Sequence, residues 1–308
     1  MQQQRKKAIK KTLKEMYRCK ALYAMILPSI ITTFIFHYIP IYGLQIAFKD
    51  YSTGAGIWGS EWVGLEHFKR FASYPYFWKM IRNTIWISVC SLLINTPCPI
   101  IFAIMLNELK SEKIKKISNM ITYAPHFMST IVVCSMTSLF LKKEGLINIL
   151  LGFLGIEAID FLTIPGAFAF IYALSGMWQG LGWGTIIYMA ALSGVSQELV
   201  EAARIDGASR MQVIRHVQIP HLKPTIVTLL IMNLGRVLSV GFEKVFLLQN
   251  PLNKPASSVI STYTYEIGLV GGDFSYSSAI GLFNNVVGFL MVILANQISK
   301  KVAKVSLW

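Results

Sequence analysis

A chain of 308 residues that is 54% hydrophobic and only 14% charged is too apolar for a soluble domain, in which about a quarter of residues carry charge. Its 29 Lys and Arg outnumber 15 Asp and Glu, for a net charge of +14. The basic residues sit beside long apolar blocks, so they read as a membrane-topology signal and not as a nucleic-acid surface. Cys19, Cys90, Cys98 and Cys134 show no paired spacing, so neither a disulfide framework nor a metal site is indicated, and they read as small apolar residues.

Segment 1–20 is basic and leads into the first apolar block. Ile9, Leu13, Met16 and Tyr17 share one face of a would-be helix whose other face is Lys. The segment therefore reads either as an interfacial helix or as a disordered basic tail. Apolar blocks at 21–48, 82–106, 120–141, 164–192 and 279–298 each reach the roughly 20 residues needed to cross hydrocarbon. The first is too long for a signal peptide and no small-residue cleavage site follows it, so it is retained as a span. A sixth block, 225–248, is interrupted by Asn233, Arg236, Glu243 and Lys244.

The segment between the first two spans, 49–80, is rich in aromatics, among them Tyr51, Trp58, Trp62, Tyr74, Tyr76 and Trp78. Such rings form an interfacial belt or, alternatively, a sugar-stacking surface. Glu66–Tyr74 has amphipathic helical spacing within it. Pro97 and Pro99 predict a kink or break in the second span. Pro125-His126 lies in the third, and Pro165-Gly166 opens the fourth, where Gly176, Gly180, Gly182 and Gly184 permit close helix packing. No low-complexity stretch or second soluble domain is present.

Segments 1–20, 107–119, 193–223 and 299–308 hold eight, four, four and three Lys or Arg, nineteen of the 29. With six spans they lie on one side, and the positive-inside rule places that side, with both termini, in the cytosol. An even number of spans is required, so the interrupted block counts as the fifth. Loop 193–223 is structured beyond what a connection needs. Gln197–Ile205 holds good helix formers with Glu198 and Glu201 toward its start, where the helix dipole favours negative charge. Gly207 supplies the positive φ that ends this helix. Asp206 is a candidate cap for a second helix over Arg210–Val217 or a plain solvated turn residue, and Pro220 and Pro224 stop that second helix. Small Ala202, Ala203 and Ala208 let another protein approach closely. The chain has no Gly-Lys dipeptide, hence no phosphate-binding loop of the usual kind.

Glu201-Ala202-Ala203, then Gly207, then Val217-Gln218-Ile219-Pro220 resembles the EAA loop of the membrane-spanning permease subunits of binding-protein-dependent ABC importers. Val217 and Ile219 stand where Ile and Leu are more usual. Ala190-Ala191-Leu192, Glu243–Leu248 with Asn250-Pro251, Ser261–Tyr265 and Tyr276–Gly281 are similar to the carbohydrate-uptake branch, in its maltose-permease F type and its complex-glycan subgroup. The Gly-Gly-Pro usual after span 5 there is missing. The resemblance covers almost the whole chain. It implies an all-α membrane protein of the type I importer permease fold, with six transmembrane helices and cytosolic termini in a bacterial cell membrane.

The resemblance further implies a non-catalytic subunit that forms half of a carbohydrate path beside a second, homologous permease. Two cytosolic ATPase subunits would use the ATP and Mg, and this chain would bind no cofactor. An extracellular binding protein, lipoprotein or periplasmic, would deliver the substrate. Glu201, Ala202, Ala203, Asp206, Gly207, Ala208 and Pro220 would form the ATPase-coupling site. Intramembrane polar residues give the substrate-path candidates. Asn233, Arg236 and Glu243 share one face of an unbroken fifth span, with Trp178, Gln179 and Tyr188 in the fourth; the competing reading is structural packing. The rival function is a self-contained secondary carrier or channel, which would need internal repeats and mid-membrane carboxylates. Only Glu243, near a span end, meets that need.

Overall fold

A computed structural model describes residues 18–302. The amphipathic reading of residues 9–17 and the end of the basic tail lie outside them. Among the described residues the regular structure is helical apart from one antiparallel pair, β1 (Lys49–Asp50) with β2 (Glu61–Trp62), in register Lys49 to Trp62.

In the first span, Lys20–Phe48, no residue of the opening helix α1 (Lys20–Thr33) is buried, whereas the end, Leu44–Phe48, packs against the last helix and buries Ala47. It continues through a π turn, Phe34–Tyr38, immediately before Ile39-Pro40. Proline cannot donate to the carbonyl four residues back and clashes with it. Widening that turn to a five-residue spacing, Ile39 N–H to Phe34 O, relieves both problems without ending the helix.

After the short helix α2 (Glu66–Ala72), α3 (Phe77–Asn95) and α4 (Pro97–Glu108) form the second span. The expected interruption falls at Thr96, directly ahead of Pro97. The third block differs from expectation. Helix α5 (Glu112–Tyr123) meets α6 (Thr130–Leu141) through a tight turn at Ala124–Phe127, and the chain bends by 104° there. Residues 120–141 are therefore not one straight helix. Pro125 disrupts the helix, and Ser129 restarts it by accepting the Val132 N–H at 3.4 Å. Helix α7 (Leu146–Gly152) follows.

Helix α8 (Phe168–Leu192) carries no charged residue over 25 positions and packs along α3 and α4. Its glycines divide. A Cβ on Gly182 would lie 2.5 Å from the Thr122 carbonyl oxygen, and one on Gly184 3.2 Å from Pro99 Cγ, whereas one on Gly180 meets nothing within 4 Å. Close approach explains Gly182 and Gly184 but not Gly180.

Beyond loop helices α9 (Gln197–Ile205) and α10 (Arg210–Val213), α11 (Ile219–Leu234) ends well short of the predicted 248. Residues 235–241 are irregular, and α12 (Phe242–Leu248) restarts the helix. Hence Arg236 and Glu243 do not share a helical face. Gly235 and Gly241 bracket the break; each lowers the cost of leaving the helix, and Gly241 N–H donates to the Tyr172 hydroxyl at 3.2 Å. Helix α13 (Ile260–Tyr265) and the long α14 (Phe274–Val302) complete the chain.

Three apolar clusters tie the bundle together. One joins Phe71, Phe77, Met80, Ile260, Tyr276 and Ile280 where α3 begins. A second joins Ile87, Cys90, Cys134, Ala173, Val240 and Val245 midway, and a third lies at the 193–223 end. The segment after α12 is held by Asn253, which is fully buried. Its amide donates to Leu162 O and Leu248 O, each at 3.0 Å, while its oxygen accepts from Asn250 N–H at 2.9 Å. Asn253→Ala strands the Leu248 carbonyl, the Asn250 N–H and the Ser257 hydroxyl, while Leu162 O keeps Asn250 Nδ2 at 2.9 Å, and we expect it to cost about 3 kcal/mol. The check is thermal unfolding in detergent; an unchanged midpoint would show this network to be dispensable.

Candidate functional site: the 193–223 loop and the polar cavity

Helix α9 terminates in a Schellman motif. Ala208 N–H donates to Ala203 O at 2.9 Å, and Gly207 N–H to Arg204 O at 3.1 Å; these are the paired bonds that satisfy a helix's last carbonyls. Gly207 has φ +81°, the left-handed conformation the motif demands. Asp206 is the C-cap of α9 and not the N-cap of α10. Ser209 takes that role: its side chain receives the Gln212 N–H at 3.4 Å, and Gln212 Oε1 receives the Ser209 N–H at 2.7 Å, a capping box. Pro220 and Pro224 do not stop the second helix. A π turn at Ile214–Gln218 absorbs Pro220, as at Pro40, and the chain runs directly into α11.

This grammar fixes which face of α9 looks out. Val200 is buried, and Ala203 and Ala208 pack with it against Leu192, Val195, Val213 and Leu222. Two of the three alanines expected to admit a partner thus serve the chain's own core. Glu198, Glu201, Ala202 and Ile205 are all exposed, at the spacing of one helical face. Ile205 is 86% exposed, Met211 70% and Leu199 61%, so acidic residues rim an apolar patch. Such patches mark interaction sites or membrane contacts. Pro220 is also exposed. Beneath the loop, buried Gln218 donates to Glu108 Oε1 at 2.8 Å, linking it to the end of α4.

Where the α11–α12 break faces α3, the bundle forms an open polar cavity of about 220 Å³. Ser88, Ser91, Asn95, Tyr172, Asn233 and Arg236 are among its lining residues. Asn233 and Arg236, singled out from sequence, are here. The other four candidates lie elsewhere. Trp178 borders an apolar cleft with Met136 and Phe140, and Gln179 donates to Met128 O at 3.2 Å. Tyr188 is buried in the cluster at the loop end. Glu243 is exposed on α12 and is not among the lining residues. Sequence reasoning missed Ser88, Ser91 and Asn95, although their spacing of three and four puts them on one face of an otherwise apolar helix. Among the described residues no cluster of His, Cys, Asp or Glu forms a metal centre.

A helical membrane chain with a structured loop at one end and an open polar cavity between its helices has the makings of a transport permease. Residues 95–304 match the family described as the binding-protein-dependent transport system inner membrane component, and the chain belongs to it. The polygalacturonan/rhamnogalacturonan transport system permease protein YteP of Bacillus subtilis (strain 168) is 43% identical over 96% of this chain and 93% of its own. Protein LplB of the same organism is 41% identical over 92% and 90%. A bacterial ABC transporter involved in import of the acidic polysaccharide alginate has a chain that matches with TM-score 0.85 and 38% identity, covering 95% of this chain and 99% of that one. The same transporter type in complex with alginate pentasaccharide-bound periplasmic protein matches with TM-score 0.86. The chain is a multi-pass membrane permease of a sugar-importing, binding-protein-dependent ABC transporter.

Proposed function

We propose that α9 is the element through which cytosolic ATPase subunits drive this permease, and that the polar cavity is its share of the oligosaccharide path. The observation carrying the first half is the outward face of α9, with Glu201 and Ala202 exposed beside Leu199 and Ile205 on a helix whose other face is locked into the core. A helix fastened on one side and bare on the other transmits displacement as a rigid body. The chain itself is non-catalytic in this reading and binds no cofactor, with ATP and Mg handled by the ATPases.

The assembly comprises this chain, a second homologous permease, two ATPases and an extracellular binding protein. The last is supported by the periplasmic protein in the related complex. Six spans with both termini cytosolic follow from the distribution of basic residues. Lys20–Phe48, Phe77–Glu108 and Phe274–Lys301 are long and apolar enough to cross; Thr130–Gly152, α8 and the broken α11–α12 supply the other three.

Cysteine cross-linking of the assembled transporter tests the coupling surface. Ala202→Cys, on the bare face, is expected to cross-link to an ATPase subunit in a nucleotide-dependent manner, whereas inward-facing Ala203→Cys is not. Equal yields at the two positions, or none at either, would falsify the docking assignment.

A further inference from the structure

The aromatic residues of segment 49–80 divide between two environments. Trp58 and Trp78 are 81% and 76% exposed, as an interfacial belt requires. Tyr74 and Tyr76 instead line a cleft of about 410 Å³ with Lys79, Lys254, Tyr263 and Glu266. Tyr74 stacks on Tyr263 with ring centroids 4.8 Å apart, and Tyr76 stands edge-on to Tyr74 at 5.7 Å. Lys79 Nζ lies 6.0 Å from the centroid of the Tyr76 ring. Another wall is the 251–258 segment that buried Asn253 holds, and from it Lys254 donates to Glu266 Oε1 at 2.9 Å.

Tyrosine rings offer flat apolar faces with a hydroxyl at the edge, and a paired carboxylate and ammonium set acceptors beside donors. A pyranose ring has a counterpart for each: C–H faces to lie on the rings and vicinal hydroxyls to bridge the pair. The position of the cleft adds a second argument. Met80 in the cleft and Ser91 in the polar cavity are eleven residues apart on α3, so they share one helical face at a separation of about 16 Å. Between them the start of α13 closes that face: Ile260 N–H donates to Thr84 Oγ1 at 3.2 Å, and both residues are buried. Resting on the oligosaccharide reading and the topology above, we infer that the cleft is an outer sugar subsite, holding the trailing end of a glycan whose leading end enters the cavity. Long oligosaccharides engage both places and short ones only one, so the cleft confers a preference for glycan length.

The test uses proteoliposomes holding the complete transporter with saturating binding protein. They are supplied with digalacturonate or hexagalacturonate, and with maltose or maltohexaose as the uncharged pair. Tyr76 is 57% exposed, so its truncation spares the fold, and loss of an aromatic anchor at a binding surface corresponds to about tenfold. Tyr76→Ala should therefore lower the ratio of hexasaccharide to disaccharide uptake by about that factor, and Tyr76→Phe should keep the ratio within about twofold of wild type. An unchanged ratio in Tyr76→Ala overturns the inference: an equal fall at both lengths assigns the cleft to docking of the binding protein, and no fall at either removes it from uptake. Wild-type uptake of the disaccharides but not the hexasaccharides overturns the length preference while leaving the sugar reading intact. Uptake of none of the four removes that reading as well.

Discussion

Glu201→Ala is expected to lower oligosaccharide uptake by about thirtyfold or more, the effect of removing one partner from a desolvated charged contact at an interface, while the protein folds normally. The second half of that statement rests on geometry. Glu201 is exposed and takes part in no ion pair among the described residues, so the isolated chain loses nothing when the carboxylate goes. A defect must then arise in the assembly. Gly207→Val should reach a similar loss by another route. Its Cβ would meet nothing within 4 Å, so there is no clash; the difficulty is φ +81°, which a β-branched residue adopts at a cost of about 1–2 kcal/mol. Relief of that strain frays the Schellman turn and frees the end of α9 from Ala203 and Ala208. Gly207→Asn, which tolerates the left-handed conformation, should retain much of the uptake. The readouts are membrane abundance, substrate-stimulated ATP hydrolysis and uptake by the assembled transporter. Wild-type uptake by Glu201→Ala would remove this loop from the coupling mechanism.

The elements legible in the sequence were those whose signal is local. Helix α8 declared itself by 25 residues without a charge, and α9 by its helix formers followed by Gly207. What was not legible depends on contacts made far along the chain. Whether Ala203 faces inward or outward follows from where Leu192, Val213 and Leu222 come to rest, which a single helix cannot reveal. Block 225–248 is long enough for one span despite its polar interruptions, so the seven-residue spacing of Arg236 and Glu243 looked like a shared face. Gly235 and Gly241, beside those polar residues, were the local marks of the break. Likewise Pro125 announced a disturbance but not its 104° size. The cavity is assembled from α3, α8, the end of α11 and the break, with at least sixty residues between the contributing stretches near 96, 172 and 233. Lys244 registered in the sequence only as an interruption of an apolar block, whereas the fold buries it with its ammonium 4.8 Å from the centroid of the Tyr172 ring.

That bend yields the second large effect. The turn joining α5 to α6 rests directly on α8: His126 stacks on Trp183 with ring centroids 4.5 Å apart and planes within 5°, and Gln179 reaches Met128 O at 3.2 Å. Between these two contacts lies Gly182, where a Cβ would sit 2.5 Å from Thr122 O and 2.6 Å from both Thr122 C and Tyr123 Cδ1. Two of those atoms are backbone and cannot swing aside, so Gly182→Ala must push the end of α5 off α8. Overpacking of this kind costs about 1–3 kcal/mol; Gly182→Val, with two further carbons, should leave little folded protein in the membrane. Gly180 is the internal control, since it lies on the same helix with nothing within 4 Å of its would-be Cβ. Gly180→Ala should be neutral or slightly stabilising through helix propensity, by up to about 1 kcal/mol. Thermal unfolding of the two alanine variants in detergent reads the difference in sign. If both shift alike, glycine content matters here for general helix flexibility and not for the contact, and the bend is held by His126 and Trp183 instead.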